Sequence, residues 1–253
     1  MDQDDIERVA AEFETARGHG EYFPRAWFDR LSLDDAYRLQ LALIRRSRVR
    51  RVGWKVGLTA RAIQQQFGVH EPVFGCLLAD GRLDSGHVFH ADELIAPGFE
   101  NELCIVMGHD LAPGATREDV AAAVARVHPA FEIIETRGDL TRQLALALAD
   151  NAQQKAFVLG PAAERAALPE LDAVPVAVRI NGAEVAAADG SAVLGHPYHS
   201  IAWLAGKLAE FGEAVHAGDY IMSGSFTRQF PLAQGDRIEA AFTGIGTVTA
   251  SVV

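Results

Sequence analysis

Glu100 and Glu102 stand two residues apart inside an otherwise apolar run, Gly98-Phe99-Glu100-Asn101-Glu102-Leu103-Cys104-Ile105-Val106-Met107. In a β-strand alternate side chains share a face, so these two carboxylates would project side by side. Such a pair repels itself, and burying it without a cation costs on the order of several kcal/mol. A divalent metal ion would remove both penalties. Glu132 sits in a second apolar run, Pro129-Ala130-Phe131-Glu132-Ile133-Ile134, and is available as a third ligand. Three oxygen ligands with open positions suit Mg²⁺ or Mn²⁺ better than zinc. The competing reading of the same spacing is a solvated sheet face that happens to carry Glu100 and Glu102.

The segment Gly53-Trp54-Lys55-Val56-Gly57-Leu58-Thr59 places a lysine between two glycines. It is not a phosphate-binding Walker loop, because no Gly-Lys-Ser/Thr follows the second glycine. Glycines permit close backbone approach, and an apolar context suits a lysine aimed into a pocket, where an anionic substrate pairs with it. The alternative is a surface lysine on a strand. Other patterns carry less. His196-Pro197-Tyr198-His199 has its histidines three apart, but the proline argues against a helical metal pair. Gly244-Ile245-Gly246 lacks the third glycine and the helix of a dinucleotide site, so it reads as a turn. Ser223-Gly224-Ser225 has no Gly-x-Ser-x-Gly frame. Asp150-Asn151, after an Ala/Leu-rich stretch, is equally a turn cap or a ligand contact.

The elements that must position these residues change character along the chain. The first fifty residues read as helical. One helix is expected over 3–17, ending at Gly18-His19-Gly20. A second is expected over 34–46, with Ser32 as N-cap, Asp35 three positions on, and Ala36, Leu39, Ala42 and Leu43 on one stripe. From Val52 onward short apolar stretches are cut by glycines. Residues 98–107 and 130–135 read as strands, and Val176, Val178 and Ile180 alternate before an Asn181-Gly182 hairpin signal. Residues 237–242 and 246–252 form a terminal hairpin in this reading. Helices are expected from Thr116 to just before Pro129, and along Ile201, Leu204, Leu208 and Phe211 to Gly212. The class is α+β, with a helical segment over 1–50 and a β-rich catalytic domain over 51–253.

The chain's 253 residues carry 23 Lys+Arg against 34 Asp+Glu, a formal net charge of −11, which argues against a nucleic-acid partner. No apolar run reaches the roughly 18 residues of a membrane span. Met1 leads into Asp2, Asp4, Asp5 and Glu7, unlike a signal-peptide start. The two cysteines, Cys76 and Cys104, form no CxxC and read as reduced thiols of a cytoplasmic protein.

Taken in order, several blocks resemble one family. They are Gly53 to Thr59, Phe74-Gly75-Cys76-Leu77, Glu100-Asn101-Glu102, Pro129 to Arg137, Ala149-Asp150-Asn151-Ala152, Val158-Leu159-Gly160 and Leu194-Gly195-His196-Pro197. Ala202-Trp203-Leu204-Ala205, Ala217-Gly218-Asp219 and Ser223-Gly224-Ser225-Phe226-Thr227-Arg228 continue the set. The chain over roughly 50–253 is similar to the 2-keto-4-pentenoate hydratase / 4-oxalocrotonate decarboxylase family, within the fumarylacetoacetate hydrolase superfamily. The resemblance implies a mixed β-roll body behind the helical segment, a Mg²⁺ or Mn²⁺ site and a homo-oligomer. It matches Glu100, Glu102 and Glu132 to metal carboxylates and Lys55 to an active-site lysine, with Leu78, Gln153, Arg137 and Arg228 as substrate-binding positions. The implied substrate is a short 2-oxo/2-hydroxy dienoic acid, with the metal as Lewis acid for developing enolate charge. A hydratase adds water at C4, whereas a decarboxylase uses the same electron sink to release CO₂. A superfamily hydrolase or tautomerase, or a non-catalytic partner subunit, are further alternatives. Three departures matter. Hydratases of the family often carry an aspartate where this chain has Val73. They read Asp-Asn-Ala-Ser where it has Gln153, and Asp/Gly-Ser-Arg where it has Glu135-Thr136-Arg137. Glu135, or a histidine, is then the candidate base.

Overall fold

The N-terminal helices form where capping and amphipathic spacing coincide. In a computed structural model describing residues 1–253, Asp2 caps helix Gln3–Gly18, its side chain accepting from the Asp5 N–H at 2.9 Å. Ser32 caps helix Leu33–Arg46 in the same way, accepting from the Asp35 N–H at 3.1 Å. Ile6, Val9 and Phe13 of the first helix and Ala36, Leu39 and Leu43 of the second enter one continuous core with Trp54, Phe74 and Phe131. The fully buried Gln40 amide donates to the carbonyls of Phe74, at 3.3 Å, and Leu148, at 2.6 Å. The helical segment is thereby tied to the strands and to the short helix Leu144–Ala149.

The larger, mixed sheet runs Val73–Leu78, Arg51–Gly57, Tyr220–Met222, Pro97–Met107, Val124–Glu135, Gln154–Leu159 and Arg82–Asp84. Arg51–Gly57 lies parallel to Tyr220–Met222 and antiparallel to Val73–Leu78. The cross-strand partners Lys55 with Met222 and Gly75, Glu100 with Glu132, and Glu132 with Phe157 put these side chains on one face. That face also gathers Leu77, Cys104, Ala130, Phe157, Leu159 and Met222 into a small apolar cluster of its own. The smaller sheet runs Ala183–Asp189, Pro175–Ile180, Arg237–Phe242, Gly246–Val252 and His87–Phe89. Both expected hairpins are present in it. The architecture is the α+β arrangement of a helical segment followed by a mixed β-roll body.

One boundary differs from the sequence pattern. The helix begun by the Thr116 capping box stops at Ala123, well short of Pro129, and Val124–Glu135 is a single long strand. The Ala-rich stretch favours helix locally, but pairing with Pro97–Met107 from Met107/Val124 to Pro97/Glu135 outweighs that preference. Pro129 sits inside the strand opposite Leu103, its carbonyl accepting from the Gly160 N–H at 2.8 Å. No helix is long and apolar enough to cross a membrane.

Candidate metal and substrate site

Antiparallel pairing sets Glu100 directly opposite Glu132, and alternation brings Glu102 to the same face. Carboxylate oxygens of the three lie within 4.8 Å of one another. Glu102 and Glu132 are fully buried. Glu102 Oε2 accepts from the Gly224 N–H at 2.7 Å, while Glu102 Oε1 and both Glu132 oxygens are buried without a hydrogen bond. Lys55 Nζ faces Glu132 Oε1 at 3.3 Å. Three carboxylates against one ammonium leave a formal surplus of negative charge in a dry site. Orphaned anionic oxygens of this kind are what a hard divalent cation ligates, so the donor set fits Mg²⁺ or Mn²⁺.

The electrostatics follow from burial and this imbalance. Burial pushes the Glu100 carboxyl up to about 7, with the Glu132 charge adding and Lys55 opposing. Burial likewise holds Glu102 well above the usual carboxylate range and raises Glu132, which Lys55 partly offsets. Burial alone would lower Lys55, but the attraction of Glu132, Glu100 and Glu102 outweighs it and keeps the ammonium above its ordinary value. Two glycines make the arrangement possible. A Cβ on Gly75, opposite Lys55, would come within 3.1 Å of the Lys55 Cε and 3.1 Å of the Asn151 carbonyl. Gly224, at φ +111, would drive a Cβ into Thr59, so both its backbone conformation and its space require glycine for the amide that reaches Glu102.

A cavity of about 70 Å³ adjoins the cluster. Lys55, Glu100, Gln153 and Gln229 supply its polar side chains, and Leu58, Val73, Ile134, Leu140, Leu144, Leu148 and Ala152 the apolar wall. Gln153 reaches this position through three successive left-handed residues, Asn151, Ala152 and Gln153, at φ 56, 48 and 62. Side chains rarely adopt that conformation, and here it is held from both ends. The Asn151 amide accepts from the Cys76 N–H at 2.7 Å and donates to the Cys76 carbonyl at 2.9 Å. Asp150 is bound by Arg17 and Arg137.

The structure thus brings together Glu100, Glu102, Glu132, Lys55 and Gln153, and places the other expected residues elsewhere. Glu135 lies three residues from Glu132, so alternation turns it to the opposite face, where it pairs with Arg137 at 2.9 Å and Lys155 at 3.6 Å. Leu78 and Arg137 line a neighbouring cavity of about 430 Å³. Arg228 is exposed, with its guanidinium 4.0 Å from the Phe230 ring centroid. His196 N-caps helix Pro197–Ala209, its Nδ1 accepting from the Tyr198 N–H at 3.0 Å. The proton of the neutral ring therefore sits on Nε2, leaving no lone pair for a cation beside the nearby Glu170 and Asp172. Sequence reasoning missed Gly224, Gln229 and the leucine wall. The i, i+4 spacing of Leu140, Leu144 and Leu148 was the available signal for the last.

Comparison with known proteins places this geometry. Residues 83–253 match the model of the fumarylacetoacetate (FAA) hydrolase C-terminal domain. The chain belongs to the fumarylacetoacetate hydrolase family. Within and around that family, it is 37% identical over 224 residues to a 2-hydroxyhexa-2,4-dienoate hydratase of Comamonas testosteroni, covering 86% of this chain and 85% of that one. It is 36% identical over 231 residues to a 4-oxalocrotonate decarboxylase of Pseudomonas putida, covering 89% and 88%. The solved 4-oxalocrotonate decarboxylase from Pseudomonas putida G7, complexed with magnesium and adipate, superposes with a TM-score of 0.92 at 33% identity, over 100% of this chain and 99% of that one. The family model leaves the first 82 residues unmatched, whereas this superposition includes the helical segment.

Proposed function

We propose that this protein is a metal-dependent lyase that adds water to a short 2-hydroxy-2,4-dienoate, giving a 4-hydroxy-2-oxo acid. The observation that carries the reading is the triad of Glu100, Glu102 and Glu132, in which Glu102 Oε1 and Glu132 Oε2 are buried without a partner and Glu132 Oε1 meets only Lys55, beside an apolar pocket. The triad would hold Mg²⁺ or Mn²⁺. Bound there, such an ion supplies Lewis acidity toward the substrate's 2-oxygen and carboxylate. Lys55 then pairs with the substrate carboxylate or carries a proton at Nζ. In the reaction the 2-hydroxyl loses its proton as C5 gains one. Water adds to C4 of the resulting enone, and C3 takes up the last proton. Val73, in the pocket wall, has no group to bind that water. Gln153 is our candidate to orient it, because its Nε2 donates to the Gly138 carbonyl at 3.3 Å and its Oε1 is left to accept. The names of the hydratase relatives support this assignment.

One observation favours a second reading. Valine in place of an aspartate suits a decarboxylase that keeps water from the dienolate, and decarboxylases stand among the relatives. Product analysis by NMR, giving Mg²⁺-loaded protein 2-hydroxyhexa-2,4-dienoate and, separately, the dienol of 4-oxalocrotonate, separates the two. A 4-hydroxy-2-oxo product with all carbons retained supports the hydratase, and loss of CO₂ overturns it. The same proposal treats residues 1–50 as a support for the 51–253 catalytic body. It also makes the protein a cytoplasmic homo-oligomer acting on a small acid, in keeping with two unpaired buried cysteines.

A further inference from the structure

We infer that the pocket takes a monocarboxylic substrate whose far end is apolar, such as an unbranched alkyl-substituted dienoate, and discriminates against a second carboxylate. This deepens, and rests on, the lyase reading of the site. Lys55 is the pocket's one cationic side chain, and it sits in the carboxylate cluster. The remaining wall is set by Leu144 and Leu148 of helix Leu144–Ala149 and by Leu140 in the turn before it, together with Val73 and Ile134.

No other cation faces this wall. The buried Arg137 spends its guanidinium on other partners: Nε on Asp150, one terminal nitrogen on Glu135 at 2.9 Å, and the other on the Asp150 carbonyl at 3.1 Å and the Gln154 carbonyl at 3.4 Å. It also lines the neighbouring cavity rather than this one. Arg228 is exposed, lies against Phe230 and donates to the Gln229 carbonyl. A carboxylate at the far end of a bound substrate would lose its water and meet leucine, whereas a methyl group there is buried favourably. Gln153 and Gln229 can accommodate a water or a hydroxyl but cannot neutralise a charge.

The experiment compares two unreactive acids of equal length, 2-oxohexanoate and 2-oxohexanedioate, which differ in carrying a methyl or a carboxylate at C6. Calorimetric titration into Mg²⁺-loaded protein should give binding about 100-fold tighter for the monoacid. Equal or tighter binding of the diacid would overturn the inference. In parallel, kcat/KM for 2-hydroxyhexa-2,4-dienoate should exceed that for its 6-carboxylate counterpart by a similar factor. If neither dienoate is turned over but the monoacid still binds preferentially, the lyase reading falls and the pocket assignment stands. Leu144→Arg should raise diacid affinity at least about 10-fold without changing the circular dichroism spectrum, and Leu144→Ala should not. Should Leu144→Arg fail to fold, Leu140→Lys on the same wall makes the same test. An unchanged preference in a folded cationic variant would overturn the assignment of this wall to the substrate's far end.

Discussion

Glu102 is buried, held by one backbone amide and, Lys55 apart, faces charges of its own sign, so without a further cation it opposes folding. Glu102→Gln should therefore separate stability from function. With a chelator present, its melting temperature should rise by a few degrees, while calorimetric titration with Mg²⁺ should show binding lost and turnover should fall below detection. A variant that still binds the ion would remove Glu102 from the ligand set. Lys55→Ala should behave in the opposite way. It strips the triad of its one positive neighbour, which should cost the metal-free protein about 3–5 kcal/mol in urea unfolding, and Mg²⁺ should restore most of that. Turnover should stay down by about 100-fold or more even when metal is bound. The grouping of Lys55 with Glu100, Glu102 and Glu132 was legible because each is a charge set in an apolar run, although the same runs also allowed a solvated sheet face and a surface lysine. Glu135 shows the limit of that logic. It too ends an apolar run, yet a strand reverses its face at every residue, and Glu135 is an odd step from Glu132.

At the scale of elements, local propensity located the starts of helices better than their ends. Thr116 and Asp119 announce a helix through side-chain bonds that need no distant partner. Its end at Ala123 is decided by a strand made earlier in the chain, which no local pattern contains. The turn at Asn151–Gln153 was open in the sequence for the same reason, since three left-handed residues in a row are tolerated only where tertiary bonds hold them. Asn151 supplies two of those bonds, both to Cys76. Asn151→Ala removes them and leaves a poorer left-handed residue, so urea unfolding should show a loss of about 2–4 kcal/mol. The KM should rise as Gln153 loses its fixed position. Asn151→Gly, which relieves the backbone but not the lost bonds, should fall between that variant and the parent. Equal stability of all three would mean that the turn is held by something other than this amide.

For the molecule as a whole, two buried histidines are an identifiable source of acid sensitivity, opposed in the metal-free protein by the buried carboxylates, whose folded values are raised. Burial lowers His128 below the ordinary histidine value against the bond its Nδ1–H makes to the Gly160 carbonyl, with Arg126 and Arg82 pushing the same way as burial. Its Nε2 is buried without a partner. His196 is lowered as well, by burial and then by Arg117. Because the folded values lie below the unfolded ones, the unfolded chain binds protons first as pH falls. The stabilising contribution is complete above about pH 6.5 and is lost on acidification through the folded values. Between about pH 7.5 and 5.5 the urea midpoint of His128→Gln should therefore fall less, or rise more, than that of the parent, both carrying the same opposing uptake at Glu100 and its neighbours; identical slopes in the two proteins would place the histidine proton uptake elsewhere. The parallel pairing of the lysine strand Arg51–Gly57 with Tyr220–Met222 bears on how the molecule comes into being. On a ribosome that adds about 5–20 residues per second, the lysine strand emerges early and waits for most of the chain before that neighbour exists. The amide that Gly224 extends to Glu102 arrives just after it. Until then the nascent polypeptide has an unpaired edge on its lysine strand, so the site is assembled only once residues 220–224 have been made, a long-range closure that sets a slow step in folding.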